Sequence, residues 1–301
     1  MQTFAWQGIV FEHPDEWECV RFSKNRQRGE CALADPRGQR MSLLWSRVDA
    51  KSVDARRILD EAVSQLQKSD PKGAVLPRAW QPLKNPAGWK AIEWRGTEDM
   101  TVAVGYFAES GYLLQVQFTA DRKNDLAAQR RILESMRCQK TGTAWRWRAF
   151  GCDVRLPSEY EVQSCAVFPG RAALAFGTRG RKQQRVKIER FAVPETQLNG
   201  RSLKEWFAST LEEPRRILGS DAAAIGGHAG VCVKLKPGRA TPLQVLTRVK
   251  RLSRVAVWVC ECEARLYTAE WEGAADGAPK LEEVVACCGN GHGKGNGSGQ
   301  R

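Results

Sequence analysis

Cysteine and histidine residues near the end of the chain have the types and spacing that best suit chemistry. The stretch "WVCECEARLY…VVACCGNGH" carries Cys260, Cys262, Cys287 and Cys288, and His292 follows closely. Thiolates hold Zn²⁺ in tetrahedral sites, so this set predicts, as one alternative, a metal-binding protein. Cysteine pairs separated by two residues are absent, and strand alternation places Cys260 and Cys262 on the face that packs a helix. We therefore expect reduced thiols packed in the core, and keep the four-cysteine metal site as an alternative.

The three histidines do not form a recognisable catalytic arrangement. His13 precedes a proline turn, His228 lies in the glycine-rich stretch "IGGHAG", and His292 lies in the tail. No nucleophile sits on a glycine-flanked elbow of the kind that a histidine activates in hydrolases. His228 is a candidate general base that lacks an assigned partner. The sequence predicts no catalytic residue, no cofactor and no enzyme activity.

A basic run, "TRGRKQQRVKIERF" over residues 178–191, is the candidate binding surface. Five of its cations are the candidate contacts: Arg179, Arg181, Lys182, Arg185 and Lys187. They could contact phosphates, but aromatic residues are not interleaved with them as in proteins that bind single strands. A solvated turn between two strands explains the same pattern.

The charge of the whole chain favours anionic partners. It has 47 Lys and Arg against 34 Asp and Glu, a net charge of +13. A basic surface attracts acidic protein, nucleic acid or anionic lipid without choosing among them. We expect an acidic protein surface as the partner, with nucleic acid bound to the basic second half as the alternative.

Targeting signals are not evident in the sequence. The N-terminus "MQTFAWQGIVFEHPDEW" lacks the basic start and apolar core of a signal peptide, and no apolar run approaches the ~20 residues of a membrane-spanning helix. These features predict a cytoplasmic protein without a transmembrane segment.

Two similar phrases indicate that the chain holds two similar units. Pro14 and Trp17 in "FEHPDEWECV" correspond to Pro157 and Tyr160 in "RLPSEYEVQSC", both at an offset of 143 residues. A proline followed by an aromatic residue predicts a turn between strands with the aromatic ring buried beneath it. Further matches keep the same order, and one of them aligns "ESGYLLQVQF" with "LSRVAVWVCE".

A period of this length predicts a duplicated domain, because the units of solenoids are far shorter. The first unit is expected over residues 1–140 and the second over 145–288. The Gly-rich segment over 289–301 has no apolar residue, so it predicts a disordered tail.

Each unit has the pattern of four strands, a helix, three strands and a closing helix. In the first unit the apolar stripe of Leu59, Ala62, Val63 and Leu66 predicts a helix over Val53–Lys68. A closing helix is predicted over residues 125–136. Strands joined by short turns form antiparallel sheets, which predicts an α+β fold of two duplicated units. Each unit is expected to be an antiparallel seven-stranded sheet covered by helices, as an α/β/α-type sandwich.

Two details of the second unit are predicted in the same way. Ser202 and Glu205 in "SLKEWF" predict a capping box at the start of a helix. In the last predicted strand Val255, Val257 and Val259 are expected on one face, and Trp258, Cys260 and Cys262 on the other.

This order of elements resembles the PsbP-like fold, in two copies. The "FEHPDEW" turn, the three-strand run "GWKAIEW–TVAVGYFA–GYLLQVQF" and the terminal "ILESMRC" helix carry the resemblance. Members of that group that are understood mostly bind proteins and are not enzymes. The resemblance therefore implies a non-enzymatic protein-binding or assembly module.

Overall fold

The computed structural model of the chain describes residues 1–76, 87–119, 125–180, 183–212, 215–236, 251–274 and 279–288. The chain divides into two compact units, unit 1 over Met1–Ala149 and unit 2 over Phe150–Arg301. The predicted tail over 289–301 lies outside the described residues, as do Arg181 and Lys182.

Unit 1 is built mainly of strands. Its elements are β1 (Gln2–Trp6), β2 (Ile9–His13), β3 (Glu18–Phe22), β4 (Arg28–Asp35), β5 (Gly38–Arg47), a 3-10 turn (Ala50–Ser52), α1 (Ala55–Ser69), β6 (Ala74–Val75), β7 (Lys90–Arg95), β8 (Met100–Phe107), β9 (Tyr112–Thr119), α2 (Asp125–Ser135), β10 (Arg137–Cys138) and β11 (Ala144–Ala149). Seven strands form an antiparallel sheet in the order β3-β4-β5-β9-β8-β7-β6, and four others pair in the order β10-β2-β1-β11.

Unit 2 follows a related plan. Its elements are β12 (Cys152–Pro157), β13 (Glu161–Phe168), β14 (Arg171–Gly177), β15 (Arg185–Ala192), α3 (Pro194–Leu198), α4 (Leu203–Ser209), β16 (Ile217–Ile225), β17 (His228–Leu235), β18 (Arg251–Cys260), β19 (Arg265–Ala274), α5 (Leu281–Val284) and β20 (Val285–Ala286). Its antiparallel sheet has the order β13-β14-β15-β19-β18-β17-β16, and β12 pairs with β20.

Helices pack on both large sheets where the apolar stripes predicted them. In unit 1, α1 buries Leu59 and Ala62 against Val102 and Val104 of β8. The helix predicted over Val53–Lys68 is thereby confirmed, within two residues at its start. In unit 2, α4 packs its two aromatic residues onto β17, β18 and β19; these are Trp206 and Phe207.

The predicted turns and cap are also confirmed. The amide of Trp17 donates to the Pro14 carbonyl at 3.1 Å, and the amide of Tyr160 donates to that of Pro157 at 3.0 Å. Both aromatic rings are buried. At α4 the Ser202 hydroxyl accepts from the Glu205 amide, and the Glu205 carboxylate accepts from the Ser202 amide.

The predicted α+β sandwich is wrong, because the described residues are mostly strand. The helices are few, and α4 and α5 span only seven and four residues. Central strands are buried on both faces: in β8 all residues from Thr101 to Gly105 are buried, although α1 covers only part of one face. The strands predicted as one sheet of unit 1 also separate, because β2 pairs with β1 and β10 instead of β3.

The predicted alignment of the two halves is wrong at the last strands. It placed "ESGYLLQVQF" of β9 on "LSRVAVWVCE" of β18, and hence Cys260 on Gln117. In the sheets, β18 holds the position that β8 holds in unit 1, and β19 that of β9. Because apolar residues recur in all four of these strands, the pattern matched one strand to its neighbour.

Candidate functional site

Four metal-ligating side chains converge at one end of the large sheet of unit 2. They are His228, Cys260, Cys262 and Cys288, called here the thiol–imidazole cluster. Their ligand atoms all lie within 4.8 Å of one another. The closest pair given is His228 Nε2 and Cys288 Sγ, 3.2 Å apart.

Adjacent strands bring the first two residues of the cluster together. Gly230 of β17 lies opposite Trp258 of β18, so His228 and Cys260 face one another where that antiparallel ladder ends. Residues opposite each other on neighbouring strands point to the same side of the sheet. The register alone therefore places the imidazole beside a thiol.

A tight turn delivers His228 to this position. Gly226 and Gly227 join β16 to β17, with φ of +58° and +86°. Two consecutive residues at positive φ suit a two-residue hairpin turn, and glycine adopts both without strain. A Cβ on Gly226 would lie 3.7 Å from Cys287 Sγ, so the turn closely approaches the segment after β20.

The other two thiols come from a hairpin loop and from that last segment. Cys262 lies in the loop between β18 and β19 and is exposed, whereas Cys260 is buried. Cys288 follows β20. Burial raises the pKa of Cys260. The pKa of Cys262 is raised by the hydrogen bond between Cys262 and Cys288. Without a cation, both side chains are therefore neutral thiols at neutral pH.

The structure changes one member of the four-cysteine set. Cys260, Cys262 and Cys288 come together, but Cys287 is not part of the cluster: its thiol lies beside Cys260, and its Sγ accepts a hydrogen bond from Trp258 Nε1 at 3.4 Å. His228 takes its place in the cluster, and His292 lies outside the described residues. The sequence alone did not show this, because the β17–β18 register that places His228 opposite Cys260 is a property of the folded sheet.

A second distinctive surface is the outer edge of β13. This strand is first in the sheet order of unit 2, and within the described ranges no strand pairs with its outer side. From Val162 to Phe168 it carries no charged residue. Val167 and Phe168 at its end are exposed, Phe168 by 62%. We call residues 162–168 the β13 edge.

The predicted basic residues lie on strands next to this edge. Arg179 follows β14 and pairs with Glu161 at 2.7 Å, and Lys187 of β15 pairs with Glu189 at 2.7 Å. Arg185 begins β15. The structure does not test whether these residues bind a partner, so that remains a prediction.

The remaining histidine of the described residues is packed in unit 1. His13 is buried beside the rings of Phe4 and Phe11, and its Nδ1 lies 2.9 Å from the Pro14 carbonyl. Burial lowers the pKa of His13 to about 4. The ring is neutral at neutral pH and contributes to packing.

Comparisons with known proteins give distant similarities only. No protein-family model matches the chain, and no curated protein matches it. Among solved structures, the apo form of the immunity protein TplEi of T6SS from Pseudomonas aeruginosa is similar, with 9% identity, a TM-score of 0.34 and coverage of 88% of this chain and 90% of that one. The Tle4–Tli4 complex is similar at 10% identity and a TM-score of 0.32, with the same coverage.

The resemblance to PsbP-like proteins is wrong. Within the described residues the strand-rich units do not have the helical cover that this resemblance implies, and no family model supports two PsbP-like copies. The motifs behind the resemblance were turn and core positions, which many β-rich folds share. No helix within the described residues has the length and apolar character to cross a membrane.

Proposed function

We propose that the protein is a non-enzymatic protein-binding module that binds an extended, acidic segment of a partner along the β13 edge. The observation that carries the proposal is the uncharged, partly apolar outer strand of unit 2. The partner segment would add a strand to the sheet through main-chain hydrogen bonds.

Edge strands present a row of N–H and C=O groups to any strand that fits, so proteins that stay monomeric protect them with charged side chains. The outer strand of unit 1 is protected in this way: β3 carries Glu18 and Arg21 within five residues. The β13 edge lacks such charges and ends in the exposed Val167 and Phe168. It is therefore better suited to a partner strand than the β3 edge of unit 1.

An exposed strained residue adjoins the same end of the edge. The amide of Ala192 donates to the carbonyl of Gly170 at 2.7 Å, which holds the end of β15 against the β13–β14 turn. Val193 follows, more than half exposed, with φ of +53°. A β-branched residue in this region costs conformational energy, and such strain is concentrated at functional sites. Val193 is a further exposed apolar residue that follows the β15 end held at this turn.

The charge around the edge favours an acidic partner. Residues 161–192 include seven Lys and Arg but only Glu161 and Glu189 as acids. Both glutamates are already paired with cations of the same segment, at Arg179 and Lys187. The surplus of positive charge would steer acidic segments to the edge and repel basic ones.

Site-specific cross-linking tests the proposal. A photo-reactive benzoyl-phenylalanine replaces Phe168 in the full chain, and the matched control replaces Val20, which is 60% exposed on the β3 edge of unit 1. We expect one protein to cross-link at position 168, through an acidic segment, and not at position 20. A Val167→Lys substitution should reduce this product at least about tenfold, because a lysine blocks strand addition.

The control variant carries its substitution on the β3 edge of unit 1. Val20→Lys should leave the cross-link at position 168 unchanged. Equal products at both positions, or a product that survives Val167→Lys, would refute docking at this edge. Cross-links to nucleic acid in place of protein would support the alternative function of the basic segment.

A further inference from the structure

We propose that the thiol–imidazole cluster is a structural Zn²⁺ site with three thiolate ligands and one imidazole ligand. Cys260, Cys262 and Cys288 provide Sγ, and His228 provides Nε2. This inference is independent of the proposed function, because the cluster and the β13 edge are built from different strands.

The distances in the cluster fit tetrahedral coordination. Zn–S bonds of about 2.3 Å and Zn–N bonds of about 2.0–2.1 Å separate tetrahedral ligand atoms by about 3.6–3.8 Å. The four ligand atoms of the cluster lie within 4.8 Å of one another. The distance between any two ligand atoms has to change by no more than about 1 Å to reach the spacing of a metal-bound site.

The cluster joins segments that are far apart in the sequence. It takes His228 from the start of β17, Cys260 from the end of β18, Cys262 from the loop that follows, and Cys288 from beyond β20. Chain proximity explains only the pair on β18. The strand register and the Gly226–Gly227 turn bring the imidazole to the thiols, so the fold itself assembles the ligands.

The ligand chemistry selects the ion. Three thiolates and one imidazole suit Zn²⁺, a borderline-soft ion that is tetrahedral in structural sites. Mg²⁺ and Ca²⁺ are disfavoured because they require oxygen ligands. Binding replaces three S–H protons by S–Zn bonds, and the three protons leave to solvent. Four protein ligands leave no open coordination position, which is the pattern of structural and not catalytic zinc.

Neighbouring groups explain why Cys287 is left out. Its Sγ accepts from Trp258 Nε1, and the Trp258 ring stacks on Tyr267 at 5.1 Å between centroids. The thiol therefore lies against the aromatic core behind the cluster. Tyr267 in turn donates to the Gly151 carbonyl at 2.9 Å.

Metal analysis of the reduced, full-length protein tests the site. We expect one zinc per chain by elemental analysis after purification without chelator. Replacement by Co²⁺ should give the intense visible bands of tetrahedral cobalt and a sulfur-to-cobalt charge-transfer band in the near ultraviolet. Cys262→Ser is the most informative variant, because this exposed thiol packs against little and its loss should not unfold the chain. Its zinc affinity should fall more than about 100-fold, beyond the effect of changing a residue outside the ligand shell.

Two control variants separate this site from the alternatives. Cys287→Ser should keep the zinc and the cobalt spectrum, as should Cys232→Ser on β17. Zinc lost with Cys287→Ser but kept with His228→Asn would overturn the ligand set. Absence of zinc and of a cobalt spectrum in the reduced protein, a disulfide between Cys262 and Cys288 in protein as isolated, or rapid alkylation of Cys288 in zinc-treated protein would each overturn the proposal.

Discussion

The two large sheets share one strand order but differ at their ends and edges. In unit 1 the loop between β8 and β9 carries Glu109, which forms an ion pair with Lys140 at 3.0 Å, and both side chains are exposed. In unit 2 the corresponding loop between β18 and β19 carries Cys262 and is closed by the thiol–imidazole cluster. An exposed ion pair contributes little to stability, so the two loops have different chemistry on the same backbone plan.

The first hairpins of the two sheets differ as sharply. In unit 1 two indole side chains donate hydrogen bonds to the loop between β3 and β4: Trp6 to the Ser23 carbonyl and Trp45 to the Asn25 carbonyl. In unit 2 the corresponding hairpin ends in the exposed Phe168. An anchored loop stabilises its unit, whereas an exposed apolar tip leaves binding surface. This difference is consistent with the proposal that the contact surface lies on unit 2.

The largest expected effect comes from the anchored hairpin. Trp45→Ala removes a fully buried indole and its hydrogen bond, and we expect it to lower the free energy of unfolding by about 3–5 kcal/mol. Phe168→Ala should change it by less than about 0.5 kcal/mol, because this ring is mostly exposed. Urea denaturation of both variants measures the difference. Similar losses in the two would show that the unit 2 hairpin is also a core element.

A pH effect of about 3 kcal/mol is expected from His13. Its pKa is lowered from 6.5 to about 4 by burial, so the unfolded chain binds the proton first as pH falls. Stability from this group is complete above pH 6.5 and is lost as pH decreases towards 4, by about 3 kcal/mol in all. The decrease between those values should disappear from the urea-denaturation profile of His13→Gln. If His13→Gln loses as much stability between pH 6.5 and 4 as the unchanged protein does, the pH effect does not come from His13.

Metal removal should act on one unit only. At free zinc 100 times the dissociation constant, binding to the folded state stabilises it by about 2.7 kcal/mol. A chelator should therefore increase hydrogen exchange in the β18–β19 loop and leave the β8–β9 loop unchanged. Lys140→Gln, which breaks the ion pair of unit 1, should cost less than about 1 kcal/mol. Equal changes in both loops would argue against a local site in unit 2.

The smallest effects should be alike in the two units, because both use the same local devices there. Asp54 caps α1 by accepting from the amides of Arg56 and Arg57, and Ser202 caps α4. Asp54→Ala and Ser202→Ala should each cost about 1 kcal/mol in thermal unfolding. A much larger cost at Ser202 would indicate that α4 has a role beyond packing on the sheet.

Local rules predicted part of this structure from the sequence. Three features depend on residues that are close together in the sequence: the capping box at Ser202, the proline turns at Pro14 and Pro157, and the apolar stripe of α1. The alternation of β18 also held, since Val255 and Val257 lie in the core beneath Trp206 and Val259 packs against it. Each of these patterns has a single local cause, so the sequence was enough.

Pairing between distant strands was the part that local rules could not give. Nothing near "IGGHAG" shows that β17 lies beside the end of β18, so His228 was not assigned to the cysteines. Likewise, strand alternation could not tell β8 from β9 when the halves were aligned. The β13 edge is defined by what does not pair with it within the described residues, and this depends on the whole sheet.

The most direct test of the account is hydrogen exchange of the two outer strands, with and without the protein that cross-links at position 168. The account predicts that the partner slows exchange of the β13 amides over 163–168 and leaves those of β3 unchanged. Protection that falls on β3, or on neither strand, would contradict the assignment of the binding edge to unit 2.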